Sequence, residues 1–490
     1  MTELFEKYKD KKEFIENRFN QLKSRGLNDE NLIASLIEKE IRENFVVPKK
    51  LKSEMYDKVN YMCRRYMDRI ARFELDYDFV PDIDALKYAL ICIFESAPVF
   101  HSQFIDNHIA PYWKVCDYHI DEVLTVIETD DFLKSADEFL LKDIPVTSNV
   151  QFKVALLINK RESKLCFRWN HMLVDGGDYK HFVSDLFKNY NEYVENKTMP
   201  LNFRTGSRSY KCVYDDFNET DKKKAKTQFA GVSPHDKHTL PFTEKSENDN
   251  KFIARKSVPS AIFNKARETV KKYDGTVNDL IATAYIGAVY DICNLPQNER
   301  IGISCAVDLR RYIKNINRTG YTNHTTFMPC IVENKGENIF DILKQVVECN
   351  KKNKEDKFMG LHGLPLLNIG YSTMVYAQAE IVVGLFYNNA NLAISNVGKM
   401  DLEALSLNGN KPIGAAVAGA AKKKPCAMMT ALTINGNLQL SICSVGNEED
   451  KQMLENFFDI LAEKIKELAE YWQVKSRRKI FCFLLNFSWL

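Results

Sequence analysis

The stretch that most constrains this chain is a strand pattern that stops at a histidine and restarts as a helix. Leu165-Cys-Phe-Arg-Trp169 reads as a strand, and the apolar run 150–158 before it reads as a neighbouring one. Next comes Asn170-His171-Met172-Leu173-Val174-Asp175-Gly176-Gly177. Tyr179, Phe182, Val183, Leu186, Phe187, Tyr190 and Tyr193 then keep the i, i+3, i+4, i+7 rhythm of an amphipathic helix beginning near Asp178. A histidine at such a junction is held by a rigid strand while its ring reaches the space past the strand's end. Its unperturbed pKa, about 6.5, suits proton transfer near neutrality. Gly176 and Gly177 permit a tight reversal of the chain, and positive φ is one way to make it. A bare HxxxD pair says little, because a second one, His181-Phe-Val-Ser-Asp185, falls inside the helix with no glycine after it. The added glycine and the strand-to-helix setting single out the first. A strand-end histidine with a purely structural role is the competing reading.

Around this junction strands and helices alternate, which implies an α/β fold. Residues 1–70 read as a charged helical extension, with Leu32, Ile33, Leu36, Ile37 and Ile41 on one face. In residues 71–200, Phe73, Leu75, Tyr77 and Phe79 have strand period, and a helix follows through Ala85, Leu86, Ala89, Leu90 and Ile93. Residues 201–250 turn polar, with the basic run Asp221-Lys-Lys-Lys-Ala-Lys226, and read as a solvated linker between two lobes. The second lobe, 251–473, reads as helices near 276–293 and 339–351 and strands near 301–307, 381–387, 391–396, 428–434 and 437–443. A closing helix is expected over 448–472, followed by a basic and then apolar tail, 474–490.

Composition narrows the partners. Lys plus Arg number 68 against 66 for Asp plus Glu, and a net charge of +2 argues against nucleic acid as the main partner. The twelve cysteines are scattered with no CxxC, so neither a zinc site nor a dithiol motif is expected. The charged start lacks the apolar core of a signal peptide, and no apolar run approaches the roughly 18–20 residues of a membrane span. The expectation is a cytoplasmic protein with free thiols. The tail is too short to span a bilayer; packing on the protein's own surface is favoured over peripheral membrane contact.

The His171–Gly177 segment matches HxxxDG, and it is not alone. The segment 73–90 followed by Ala97-Pro-Val-Phe100, Thr276-Val-Asn-Asp-Leu-Ile-Ala-Thr-Ala284, Val307-Asp-Leu-Arg-Arg311, Ser395-Asn-Val-Gly398 and Thr433–Leu440 stand in a familiar order. Together these segments, over about 70–470, resemble the superfamily of chloramphenicol acetyltransferase, nonribosomal-peptide condensation domains, wax ester synthases and alcohol acetyltransferases. The resemblance implies two α/β lobes, each a mixed sheet flanked by helices, with an active-site tunnel at their interface.

It also implies an acyltransferase that moves an acyl group from a thioester to a hydroxyl or amine. The donor would be acyl-CoA or a carrier-protein phosphopantetheine arm, acting as substrate, with no tightly bound cofactor, no metal and no covalent enzyme intermediate. His171 would be the general base. The counterpart of Asp175 turns away from the imidazole to pair with an arginine; Arg310 is the first choice here and Arg311 the second. Gly176 and Gly177 would shape the loop. Asn278 and Asp279 would line the tunnel or cap a helix, Ser395 and Asn396 would donate to the developing oxyanion, and Lys422–Lys424 would form a solvated loop or meet donor phosphates. Two other roles stay open: a free-standing condensation enzyme joining carrier-bound substrates, and an inactive relative that only binds.

Some features depart from the pattern. Asn170 stands where many relatives carry a first histidine, and it should point away from His171 because neighbouring strand residues alternate. The DFGWG signature of the plant branch and the Pro-Gly-Pro of wax ester synthases are absent. Residues 1–70 and those after Val474 lie outside the resemblance.

Overall fold

The computed structural model describes residues 1–200, 206–227, 237–316, 319–386 and 389–486, without the side chains of 386 and 471–486. Two sheets organise it. The first has five strands in the order Gly414–Ala418, Ile70–Tyr77, Glu162–Asn170, Phe152–Asn159 and Leu124–Glu128. The second has seven: Thr325–Val332, Ile301–Asp308, Leu392–Lys399, Ala427–Ile434, Asn437–Gly446 and Lys422–Lys423 in order, with Asn250–Val258 pairing to Asn437–Gly446. Both are mixed, since Leu124–Glu128 runs parallel to Phe152–Asn159 and Leu392–Lys399 parallel to Ala427–Ile434.

The buried pattern explains the layers. Ile70–Tyr77 lies inside the first sheet and is buried along nearly its whole length, as a strand covered on both faces must be. One face carries Phe73, Phe167 and Trp169 against the helices Ile83–Ser96 and Gly176–Asn196. On that face the rings of Trp169 and Tyr179 stack with centroids 4.1 Å apart. The other face carries Ala155, Leu157 and Cys166 against Ile253 and Cys443 of the second sheet. The second sheet packs on the helices Ser260–Lys271, Val277–Ile292 and Ile339–Glu355, with Leu454, Phe457, Phe458 and Leu461 of the closing helix.

The two halves interlock. Gly414–Ala418 comes from the second half of the chain yet pairs with Ile70–Tyr77 in the first sheet. Arg255 of the second sheet pairs with Glu74 at 2.9 Å, and Lys251 reaches Asp68 at 3.3 Å. The N-terminal helices are also locked on. Arg18 binds Glu40 and Glu95, each at 2.6 Å, Arg25 binds Glu95, and Tyr118 donates to Glu95 at 2.9 Å. Glu95 belongs to the helix Ile83–Ser96, so this buried network fastens Lys12–Ser24 and Glu30–Arg42 to the first lobe.

Several expectations need correcting. Of the run 381–387, residues 381–386 are not a strand but belong to the helix Tyr376–Phe386, and residue 387 lies outside the described residues; an apolar run that short has no period to decide between the two. The closing helix does not stop at 472 but runs Glu448–Asn486. How the tail's side chains pack, and residues 487–490, lie outside the described residues. Within 201–250, Tyr210, Val213 and Tyr214 bury in the first core, although Lys223, Lys224 and Lys226 do face solvent on the helix Glu219–Thr227. Lys422 and Lys424 do not sit in a solvated loop. Both are buried, and Lys424 pairs with Asp450 at 2.8 Å and Asp249 at 3.0 Å.

Candidate active site

The strand Glu162–Asn170 ends where expected, and His171 is the first residue past it. Its backbone is fixed from two directions. The His171 amide donates to the Arg69 carbonyl at 2.7 Å, and its carbonyl accepts from Asn323 Nδ2 at 2.9 Å. Arg208 donates to the carbonyls of Met172 at 3.2 Å and Leu173 at 3.4 Å, while Trp169 Nε1 donates to that of Val174 at 3.1 Å. A loop whose peptide groups are engaged this fully holds one shape. Asn170 is fully buried and bonded to Gln151 at 3.1 Å, on the opposite side of the chain from a strand-alternation standpoint.

The His171 side chain is half-buried and its Nδ1 has no hydrogen-bond partner among the described residues. Burial pushes the imidazole below its ordinary pKa. The Asp175 charge, its own backbone carbonyl and Asn323 pull partly the other way, and the buried ammonium of Lys422 adds to the lowering. At neutral pH the ring is therefore uncharged, the form able to accept a proton.

Asp175 caps the helix Gly176–Asn196: Oδ1 accepts from the amides of Gly177 at 3.0 Å and Asp178 at 3.1 Å. The same carboxylate takes Arg310 Nη2 at 2.8 Å and Nη1 at 3.1 Å, the His324 amide at 2.6 Å and the Thr325 hydroxyl at 2.8 Å. Burial works against its charge, yet Arg310 and these amides hold the Asp175 carboxyl well below the usual range. Arg310 also donates from Nε to Asp178 at 3.1 Å and from Nη2 to the Thr322 carbonyl at 3.3 Å. Arg311 takes no part; it is exposed and turns toward Met359 at 3.8 Å.

Neither Gly176 nor Gly177 adopts positive φ; both open the helix in ordinary conformations. Gly177 is needed for space, because a Cβ there would stand 2.5 Å from Arg310 Nη1. A Cβ on Gly176 would meet only Val397 at 3.6 Å, an ordinary contact across to the second sheet. There the structure joins two other expected residues: Asn396 Nδ2 donates to Asn278 Oδ1 at 2.6 Å. Asn396 Oδ1 accepts from the Gly398 amide at 2.9 Å, so both ends of that amide are engaged within the protein. Ser395, half-buried, sits beside it in Leu392–Lys399, opposite Thr430 of the neighbouring strand. Asp279 does not line an opening: it closes a capping box with Thr276 and accepts from Asn350 at 2.6 Å.

The sequence reading missed much of the support. The segment Tyr321–Thr325 wraps the motif loop, with Thr322 N donating to Asp178 at 2.6 Å and Asn323 and His324 bonded as above. Arg208, in the stretch read as linker, is held by a two-pronged pair with Asp57, both contacts at 2.9 Å. A run of five polar side chains leading into the strand Thr325–Val332, Thr322-Asn-His-Thr-Thr326, is the one available signal. No group of His, Cys, Asp or Glu able to hold a metal exists among the described residues, and no described helix is long and apolar enough to cross a membrane.

The fold has solved counterparts. The first condensation domain of the CDA synthetase superposes with a TM-score of 0.62 over 86% of this chain and 97% of its own, at 13% identity. The TRI3 trichothecene 15-O-acetyltransferase from Fusarium sporotrichioides gives 0.60 over 86% and 94%, at 14% identity. Polyketide synthase associated protein 5 from Mycobacterium tuberculosis gives 0.57 over 86% and 98%, at 13% identity. No family model and no curated protein matches the sequence. The fold is thus the two-lobed chloramphenicol acetyltransferase-like fold of condensation domains and acyltransferases.

Proposed function

We propose that this protein is an acyltransferase that moves an acyl group from a phosphopantetheine thioester to a small alcohol or amine, with His171 as general base. One observation carries the reading: a neutral, half-buried imidazole on a loop pinned at the junction of two lobes. The His171 ring takes the acceptor's proton as its oxygen or nitrogen bonds to the thioester carbonyl carbon. The carbon–sulfur bond then breaks, and the imidazolium returns the proton to the departing thiolate. A positioned base of this kind contributes about 10²–10⁴-fold, and holding two substrates together contributes more.

Asp175 is assigned a positioning role. Its carboxylate bonds go to the helix start, Arg310, the His324 amide and the Thr325 hydroxyl, which makes it a fastener of the loop that carries His171. CoA and a carrier arm present the same thioester, so the donor is a question for assay. Free-thiol release would be followed with acetyl- and longer acyl-CoA, and with an acyl-loaded carrier protein, against alcohols and amines. Turnover with a CoA donor that disappears in His171→Ala supports a stand-alone acyltransferase. Turnover only from a loaded carrier supports a condensation enzyme, a reading the condensation-domain likeness favours. No turnover from either donor would overturn the proposal.

A further inference from the structure

Three cysteines far apart in sequence converge in the second lobe, away from the His171 loop. Cys305 lies on the strand Ile301–Asp308, Cys330 on Thr325–Val332 and Cys349 on the helix Ile339–Glu355. The strands are antiparallel, with Cys330 opposite Ile303 and Met328 opposite Cys305, so Cys305 and Cys330 are diagonal neighbours on one face. The Cys349 sulfur lies against the backbone on either side of Cys330, whose own side chain is buried.

Cys349 has distinctive surroundings. Its Sγ accepts from the Ile331 amide at 3.4 Å and lies 4.0 Å from the Pro329 carbonyl oxygen, so it sits across the backbone of Cys330. Asn353 Nδ2 adds a second N–H donor at 4.0 Å, one helical turn on. Cys349 is half-buried, so a small solute can reach it, whereas Cys330 is enclosed. The diagonal pair Cys305 and Cys330 is about 7–8 Å apart by sheet geometry. That spacing exceeds the roughly 7 Å limit between the Cα atoms of a disulfide.

We propose that Cys349 and Cys330 are a peroxide-oxidisable dithiol, Cys349 the attacking thiolate and Cys330 the resolving thiol. The neighbouring Cys330 thiol draws the Cys349 thiol down to about 6, while the two flanking thiols and burial push Cys330 up. Access assigns the order of attack, since Cys349 is half-buried beside two N–H donors and Cys330 is enclosed, and this contrast runs the same way. The Cys349 thiolate attacks one peroxide oxygen and breaks the O–O bond. Cys349 becomes a sulfenic acid, and the expelled hydroxide or alkoxide takes up a proton. Cys330 sulfur then attacks the Cys349 sulfur, loses its proton, and displaces hydroxide, which leaves as water. Both sulfurs are oxidised, one peroxide is reduced, and the product is one disulfide. That bond would tie the helix Ile339–Glu355 to a strand whose first residue, Thr325, donates to Asp175.

The test uses the full chain, freshly reduced, treated with one equivalent of hydrogen peroxide, blocked with N-ethylmaleimide and mapped by peptide mass spectrometry. The expected result is a Cys330–Cys349 cross-link formed before any other thiol is consumed. Cys349→Ser should abolish it. Cys330→Ser should leave Cys349 as a sulfenic acid that dimedone captures. Circular dichroism of both serine variants checks that they fold as the parent does. Prior oxidation of another thiol such as Cys212, or a disulfide that survives Cys349→Ser, would overturn the proposal.

Discussion

The carboxylate of Asp175 and the guanidinium of Arg310 form a two-pronged pair, 2.8 and 3.1 Å, that joins the start of the motif helix to the end of a strand in the opposite lobe. Such planar pairing is strong and fixes direction as well as distance. It makes Asp175 part of the frame of the loop that carries His171.

His171→Ala should leave the melting temperature almost unchanged and lower turnover by roughly 10²-fold or more, because it removes a base and little packing. Thermal melts beside single-turnover rates would check this. A fully active alanine variant would remove His171 from the chemistry.

Asp175→Ala should behave differently. It takes from Arg310 its two-pronged partner, leaving only the Asp178 and Asp308 carboxylates, and removes the acceptor of the Gly177, Asp178 and His324 amides. Breaking a buried pair costs about 3–5 kcal/mol, so chemical denaturation should show a large loss of stability along with the loss of activity. Wild-type stability with activity lost as severely as in His171→Ala would make Asp175 a direct partner in proton transfer.

Gly177→Ala tests the space beside Arg310. The added methyl would stand 2.5 Å from Nη1, a distance no unstrained contact allows. Overpacking of this kind costs about 1–3 kcal/mol. Gly176→Ala, with only Val397 at 3.6 Å, should be much milder, and the two melting temperatures measured side by side would show the order.

The lowered pKa of His171 sets the pH response. Proton acceptance needs the neutral ring, so activity should hold as pH falls through 6.5 and decline only at the lower folded value. Stability should respond over a related window. Burial pushes His324 down to about 4, so the unfolded chain binds a proton there that the folded chain refuses between about 6.5 and 4. The His324 contribution is complete above 6.5 and fades as pH falls toward 4. Rate–pH profiles would show the first; for the second, urea unfolding at pH 7 and 5 is compared between the parent and His324→Gln, because Asp178, raised to about 6, responds in the opposite sense, and an unchanged pH dependence in the variant would contradict the assignment of His324 as buried and neutral.

Glu95→Ala should loosen the N-terminal helices, because it leaves Arg18 and Arg25 without their shared buried partner. The expected cost is again about 3–5 kcal/mol. Limited proteolysis should then cut within residues 1–45 before the rest of the chain, and unchanged resistance would show that apolar packing alone holds them.

The sequence by itself determined the α/β alternation and the strand-to-helix junction at His171, while only the family resemblance of its short motifs pointed to Arg310 ahead of Arg311. Each rests on local pattern: period-two and 3.6-residue spacing, or an ordered set of short motifs. Tertiary structure decided what spacing cannot carry. Arg208, itself held by Asp57, and the segment Tyr321–Thr325 meet the motif loop only because the chain folds back from distant positions, and no periodic signal marks a hydrogen bond across that gap. The helix Tyr376–Phe386 was misread because a short apolar run fits either geometry, and its neighbours make the choice. The crossing of Gly414–Ala418 into the first sheet and the meeting of Cys305, Cys330 and Cys349 have the same origin. Local sequence sets which backbone shapes are cheap, whereas packing selects which distant side chains become neighbours.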